Sequence, residues 1–444
     1  MVKINPFSSV KSQINIPADK SISHRAIFIS SITRGKTTIK NFLKSNDTYA
    51  SLDCMRRLGV EIKKLSENKF MVVSKGKYFS GKKKVLLNAE QSGTTLRVIS
   101  GLLVGQNFST KIEAKGSLRK RPMKRITEPL RLMGADIEGA KRRNEEFPPL
   151  CIEPVRRLRA IDYKLPVSSA QVKSAIIFAS LFAEGITKIK EYTPSRDHTE
   201  RMLRYFRAPL KKEKNIVYSK ETELVSPGEI FIPGDFSSAA FFIALGVLLE
   251  DSGIHIKKVN VNPTRIGFLN VLKRMGARIR LTERKSYFEP YADIIASSSS
   301  LRSTIVKKRE IPLMIDELPI LFVCAAFAKG VTVIYGLKEL KVKEADRINS
   351  MVYNLKQAGV DIKAYPYRND WCVAIKGLGS NRRKLKRASF KSFSDHRTAM
   401  SMIIMAIASR AECTLDEVNC INKSFPGFID TINFLHKGTV SLCK

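Results

Sequence analysis

Charged and hydroxylated residues gather in short runs, most of them just ahead of an apolar stretch. The first is Pro17-Ala18-Asp19-Lys20-Ser21-Ile22-Ser23-His24-Arg25-Ala26. Ser21, Ser23 and neighbouring amides can open a helix at Ile22 and face an anion, and Lys20 and Arg25 add positive charge beside it. An ordinary capped helix would use the same residue types. The second, Gln91-Ser92-Gly93-Thr94-Thr95-Leu96-Arg97, reads as a polar turn entering a helix over residues 96–103, with donors aimed at the helix start. It lacks the G-x-x-x-x-G-K-S/T spacing of a nucleotide loop, so ATP is not supported. Downstream, Arg119, Lys120, Arg121, Lys124 and Arg125 crowd together, which is costly unless solvent or an anion matches them. Val167-Ser168-Ser169-Ala170-Gln171-Val172-Lys173-Ser174-Ala175 and Ser195-Arg196-Asp197-His198-Thr199-Glu200 each place hydroxyls where they could hold a phosphate or cap a helix. Near the C-terminal end, acids and bases alternate in three further runs. These are Met314-Ile315-Asp316-Glu317, Leu340-Lys341-Val342-Lys343-Glu344-Ala345-Asp346-Arg347 and Ser394-Asp395-His396-Arg397-Thr398-Ala399-Met400.

The elements that carry these runs repeat. An apolar-Gly-(Ala/Val)-x-Ile pattern closes a helical segment at Gly59, Gly134, Gly276 and Gly359, where glycine suits the residue after a helix. A degenerate fifth copy places Arg207 where the others have glycine, which predicts a weakened helix stop if a left-handed conformation is needed. A second pattern, Gly-x-Thr-x-apolar, follows other helices at Gly35, Gly185 and Gly330. Helix, glycine stop, short strand, second helix, stop and strand, recurring about six times, predicts six βαβαββ units grouped three and three. The predicted domains are residues 19–235, inserted into a second domain made of residues 1–18 and 236–444. The crossings fall near Ala18-Asp19 and Pro233-Gly234-Asp235.

Length and composition agree with this organisation: 444 residues suit two domains, and 43% hydrophobic with 27% charged residues is a globular balance. The 78 Lys+Arg against 41 Asp+Glu leave +37, which raises the potential at any cleft and draws anions. Runs such as residues 82–84 and 382–384 read as solvated surface. The seven cysteines form no C-x-x-C pair and read as reduced, mostly buried thiols. No apolar signal core or membrane-length stretch is present, so a cytoplasmic location is expected.

In order along the chain, the strings D-K-S-x-S-H-R, S-G-T-T-x-R, R-x-R-P-M, S-A-Q-V-K-S-A, S-R-D-H-T-E, V-K-E-x-D-R, D-H-R and K-S-F-P-G-F span Lys20 to Phe428. Together they resemble the enolpyruvyl transferase family, and specifically its shikimate-type members. The resemblance implies a two-domain inside-out α/β barrel whose lobes close on the substrates, with no metal or organic cofactor, working as a monomer. It implies transfer of the enolpyruvyl group of phosphoenolpyruvate to shikimate 3-phosphate. By position, Lys20, Ser21, Arg25, Ser169, Gln171, Ser195, Asp316 and Lys343 would meet shikimate 3-phosphate. Lys20, Gly93, Arg121, Gln171, Arg347, Arg397 and Lys423 would surround phosphoenolpyruvate. Glu344 would protonate its methylene carbon, Asp316 would take the proton of the 5-hydroxyl, Lys20 would assist elimination, and His396 matches an active-site histidine. At i,i+3, Glu344 could equally form a structural ion pair with Arg347. Gly93 also stands where glyphosate contacts the family, which implies sensitivity to it.

One pair departs from the family pattern: Glu90-Gln91 replaces a small pair before S-G-T-T, with Glu90 expected to point away from substrate. The sister enzyme acting on UDP-N-acetylglucosamine begins with a K-N motif and uses a loop cysteine. Here Lys20-Ser21 stands in that place, and no cysteine lies between Lys111 and Cys151. A nucleic-acid-binding protein would cluster its basic residues among aromatics; these run throughout the chain beside a single tryptophan, so no specific nucleic-acid partner is expected.

Overall fold

The computed structural model describes residues 1–80, 83–379 and 385–443; Lys82 and residues 382–384 of the two basic runs lie outside the described residues. The chain divides into two compact units, Met1–Pro17 with Pro233–Lys444, and Ala18–Ile232. The second unit carries α1 (Lys20–Ser31), α2 (Asn46–Arg57), α3 (Gly93–Leu103), α4 (Lys124–Leu132), α5 (Ala170–Ser180) and α6 (His198–Tyr205). The first carries α7 (Phe236–Leu248), α8 (Gly267–Arg274), α9 (Leu318–Phe327), α10 (Arg347–Gln357), α11 (His396–Ser409) and α12 (Phe428–Leu435).

Six four-stranded sheets are described, three in each unit, and all share one topology. Glu229–Phe231 runs parallel to Gly35–Lys40, which pairs antiparallel with Lys69–Ser74, itself antiparallel to Glu61–Ser66. The sheets begun by Lys84–Asn88 and Asp162–Lys164 repeat this order in the same unit. Those begun by Lys11–Ile14, Ile305–Val306 and Ser389–Phe390 repeat it in the other. Two helices per sheet complete the six-repeat α/β architecture expected from the sequence. In the last sheet the third strand, Val2–Ile4, comes from the start of the chain and sits between Cys413–Leu415 and Val440–Leu442.

Hydrophobic patterning decides which helices go inside. The first helix of each repeat (α1, α3, α5, α7, α9, α11) is buried nearly all round, α1 with polar as well as apolar residues inside, whereas the second buries one face. Gly101 lets α3 approach α5, since a Cβ there would overlap the backbone carbonyl of Ala175. The strands alternate, as in Lys69–Ser74, burying every second residue against these helices.

The two crossings match. Ile16-Pro17-Ala18-Asp19 leads from Lys11–Ile14 into α1, and Ile232-Pro233-Gly234-Asp235 leads from Glu229–Phe231 into α7. Asp19 accepts from Ile22 N at 3.0 Å and Asp235 from Ser238 N at 3.0 Å, each capping its helix. Asp235 N donates to Pro17 O at 2.8 Å, tying the crossings together.

Gly59, Gly134, Gly276 and Gly359 all have φ between +86° and +95°, and Arg207 follows them at +64°. The degenerate copy therefore keeps the left-handed turn on an exposed, non-glycine residue. Arg207→Gly is expected to stabilise the protein by up to about 1 kcal/mol, read as a higher urea midpoint at unchanged slope. An unchanged midpoint would mean that the loop carries no strain there.

Candidate active site

The motif residues collect at the N-terminal ends of helices, where unpaired N–H groups and the helix dipole favour anions. In the unit Ala18–Ile232, α1 begins at Lys20, so Ser21 and Ser23 already lie inside its first turn and Asp19 is the cap, correcting the expected role of the two serines. Ser23 instead donates to Asp19 O (2.8 Å) and accepts from Leu43 N (3.2 Å). Lys20 Nζ pairs with Asp47 Oδ2 at 3.1 Å. Asp47 was not singled out in the sequence; its signal is the capping box at the start of α2, where Ser45 and Thr48 bond reciprocally. His24 faces inward to Ser51 (2.7 Å), and burial, with Lys20 and Arg25 nearby, pushes its pKa well below the usual value. The imidazole is thereby neutral and structural.

α3 starts at Gly93, three residues before the expected Leu96, because Ser92 adopts the extended cap conformation and accepts from Thr95 N at 3.2 Å. A Cβ on Gly93 would meet Arg121 Nη1 at 3.3 Å and Arg97 Nη1 at 3.7 Å, so two guanidinium groups converge on this helix start. Arg97 Nη1 also donates to Gln171 Oε1 (2.9 Å), and Gln171 Nε2 donates to Thr94 Oγ1 (3.0 Å). The contacts at Gly93 and these bonds together place Gly93, Arg121 and Gln171 around Arg97 and Thr94. Ser169 stands at the cap position of α5 without a side-chain cap bond. Ser195 sends both its N–H and its O–H to Glu191. Arg25 is buried and donates to Thr199, Ser21 O and Ser174. Glu90 takes the left-handed φ of +52°, and its carboxylate accepts from Asn88 Nδ2 (2.6 Å) and Lys115 Nζ (3.0 Å). The departure from the small pair is thus absorbed by a local salt bridge.

In the unit Met1–Pro17 with Pro233–Lys444, Arg347 is the hub. It is 1% exposed and donates Nε to Asp395 (2.8 Å), Nη1 to Asp316 (3.3 Å) and Nη2 to Glu344 (2.7 Å). Burial pushes its pKa down, but Asp395, Glu344 and Asp316 more than reverse that, leaving it raised. Arg397 Nε reaches the same Asp316 oxygen at 3.4 Å. Asp395 caps α11 through Arg397 N (2.8 Å) and Thr398 N (3.3 Å), holding the buried His396 and Arg397 at the helix start. Lys343 is half-buried; loss of hydration lowers its pKa, against the pull of Asp316 and with the push of Arg347. Asp316, Glu344, Arg347 and Arg397 are therefore brought together. Lys423 closes a short 3-10 turn, Asn419–Lys423, in the same unit.

The family model for EPSP synthase (3-phosphoshikimate 1-carboxyvinyltransferase) matches residues 4–432. The chain belongs to the EPSP synthase family. Within it, a 3-phosphoshikimate 1-carboxyvinyltransferase of Petrotoga mobilis is 42% identical over 431 residues, covering 97% of this chain and 98% of that protein. One of Caldicellulosiruptor bescii is 44% identical over 435 residues, with 97% and 98% covered. The solved EPSP synthase of Acinetobacter baumannii superposes with a TM-score of 0.88 at 36% identity, covering 100% of this chain and 99% of that one. The enolpyruvyl transferase NikO from Streptomyces tendae shares the fold, with a TM-score of 0.75 at 14% identity over 98% and 97% of the two chains.

Proposed function

We propose that this chain transfers the enolpyruvyl group of phosphoenolpyruvate to the 5-hydroxyl of shikimate 3-phosphate and releases phosphate, in the shikimate route to chorismate and aromatic amino acids. The observation that carries the reading is the Arg347 cluster, on a member of this family: Asp316 and Glu344 both pair with Arg347, and Arg397 reaches Asp316. The substrates bring roughly −5 to −6 of charge as two phosphate monoesters and two carboxylates, and arginine forks match such groups in bidentate fashion.

In this reading Lys20, Ser21, Arg25, Ser169, Gln171, Ser195, Asp316 and Lys343 hold shikimate 3-phosphate. Lys20, Gly93, Arg121, Gln171, Arg347, Arg397 and Lys423 hold phosphoenolpyruvate. Glu344 gives a proton to the methylene carbon while Asp316 takes one from the 5-hydroxyl as its oxygen bonds to the adjacent carbon. Loss of phosphate and of a methyl proton then restores the vinyl group, with Lys20 assisting. His396 orients its neighbours at the start of α11. Among the described residues no helix is long and apolar enough to cross a membrane, and a cytoplasmic monomer fits the reading.

The test is phosphate release by the purified protein given phosphoenolpyruvate and shikimate 3-phosphate, with UDP-N-acetylglucosamine as the control acceptor. Release that does not depend on shikimate 3-phosphate would sink the assignment. A pH dependence follows from Lys343. Its pKa lies below the ordinary lysine value, so it loses its charge earlier than an exposed lysine as pH rises. The KM for shikimate 3-phosphate should climb as pH rises from neutral toward about 10, and Lys343→Arg should flatten that climb. A wild-type KM independent of pH over this range would contradict the role given to Lys343.

A further inference from the structure

Ser174 on α5 and Thr199 on α6 lie in the motif runs and have been given no role above. Both are buried and both touch Arg25. The geometry points to the Ser174–Thr199 hydroxyl pair as the device that orients the Arg25 guanidinium for shikimate 3-phosphate, an inference that rests on the role given to Arg25 in the proposed function. Both are positioning residues, acting through Arg25.

The proton positions follow from the acceptors present. Ser174 Oγ lies 2.6 Å from Ala170 O, a carbonyl that only accepts, so the serine donates there. With its single proton committed, Ser174 must be the acceptor in its 2.6 Å contact with Thr199 Oγ1, and threonine donates. Both hydroxyl oxygens are then left presenting lone pairs to Arg25. Its Nε donates to Thr199 at 2.6 Å and its Nη2 to Ser174 at 2.8 Å. Two acceptors side by side meet one edge of the guanidinium as a carboxylate would, and the bond from Nη1 to Ser21 O at 2.8 Å fixes the plane.

The difference from a carboxylate is charge. An Asp or Glu in this place would orient the guanidinium but would also repel an incoming phosphate. Two neutral hydroxyls set the plane and add no negative charge of their own. The helices do not depend on the pair for their placement, because Lys173 on α5 and Glu200 on α6, one residue along on each, form their own ion pair at 2.7 Å.

The test compares wild type, Thr199→Val and Thr199→Ser by kcat, by the KM of each substrate and by calorimetric binding of shikimate 3-phosphate alone. Valine keeps the shape and removes the acceptor. The expected result is a rise of about tenfold or more in both Kd and KM for shikimate 3-phosphate, with kcat and the KM for phosphoenolpyruvate within about twofold of wild type. Thr199→Ser should bring the values back. A valine variant that binds shikimate 3-phosphate like wild type overturns the inference. So does one that loses kcat and both KM values together, or a serine variant no better than valine. Should Thr199→Val fail to fold, Ser174→Ala is expected to show the same shift, and its absence there overturns the inference equally. Wild-type protein that does not bind shikimate 3-phosphate would defeat the proposed function and this inference with it; wild type that binds, beside an unaffected valine variant, defeats the inference alone.

Discussion

Glu344→Gln is expected to lower kcat for phosphate release by about 10²–10⁴-fold, the range that positioned proton transfer contributes. The substitution isolates the proton because the surroundings do not depend on it. Arg347 keeps Asp395 and Asp316 as partners, and an amide oxygen at position 344 can still accept from Nη2. If Glu344 were only a counter-ion to Arg347, the glutamine would shift stability and the KM for phosphoenolpyruvate while turnover stayed near wild type. The two roles therefore separate in one set of steady-state measurements, and a variant that keeps wild-type kcat would move the acid elsewhere.

Lys173→Met should destabilise the fold severely. Lys173 is fully buried between Glu191 (2.8 Å) and Glu200 (2.7 Å), and its third donor reaches Ser195 O at 3.4 Å. Burial alone pushes its pKa down, yet Glu200 and Glu191 together leave it raised above the ordinary lysine value. Removing the ammonium leaves two carboxylates buried without their cation, and breaking a buried pair in this way costs about 3–5 kcal/mol. Urea unfolding would measure it; a loss below about 1 kcal/mol, the scale of an exposed pair, would show that water or neighbouring groups replace the lysine. The sign of the pH dependence is fixed by the raised pKa. The stabilisation is complete below the unfolded lysine pKa and is lost only as pH rises through the higher folded value.

Much of this arrangement is legible in the residue order, for identifiable reasons. The glycine stops are local: Gly59, Gly134, Gly276 and Gly359 mark positions where the backbone turns left-handed, and even the exception at Arg207 holds that turn. The site residues are legible as helix-start runs because anion binding and helix capping use the same residue types. What is not legible is set by contacts distant along the chain. Asp19 rather than Ser21 caps α1 through Ile22 N, and the segment just before it is tied at Pro17 to Asp235, more than two hundred positions away. Asp47 belongs with Lys20, 27 positions away, through packing that the capping box of α2 does not itself encode. Joining Val2–Ile4 to the C-terminal repeat is likewise a long-range pairing, invisible to any search for neighbouring strands.

That last pairing sets an order for assembly on the ribosome. Every strand of the three sheets in Ala18–Ile232 lies within that one continuous stretch, so the unit can close as soon as its residues have emerged. The partners of Val2–Ile4 and Lys11–Ile14 are made later, Val440–Leu442 more than four hundred residues after Val2. At about 5–20 residues per second the opening strand waits some tens of seconds for its sheet. During that time the short strand Val2–Ile4 stays unpaired while a complete unit folds after it, and strands made some four hundred residues later hold it in place.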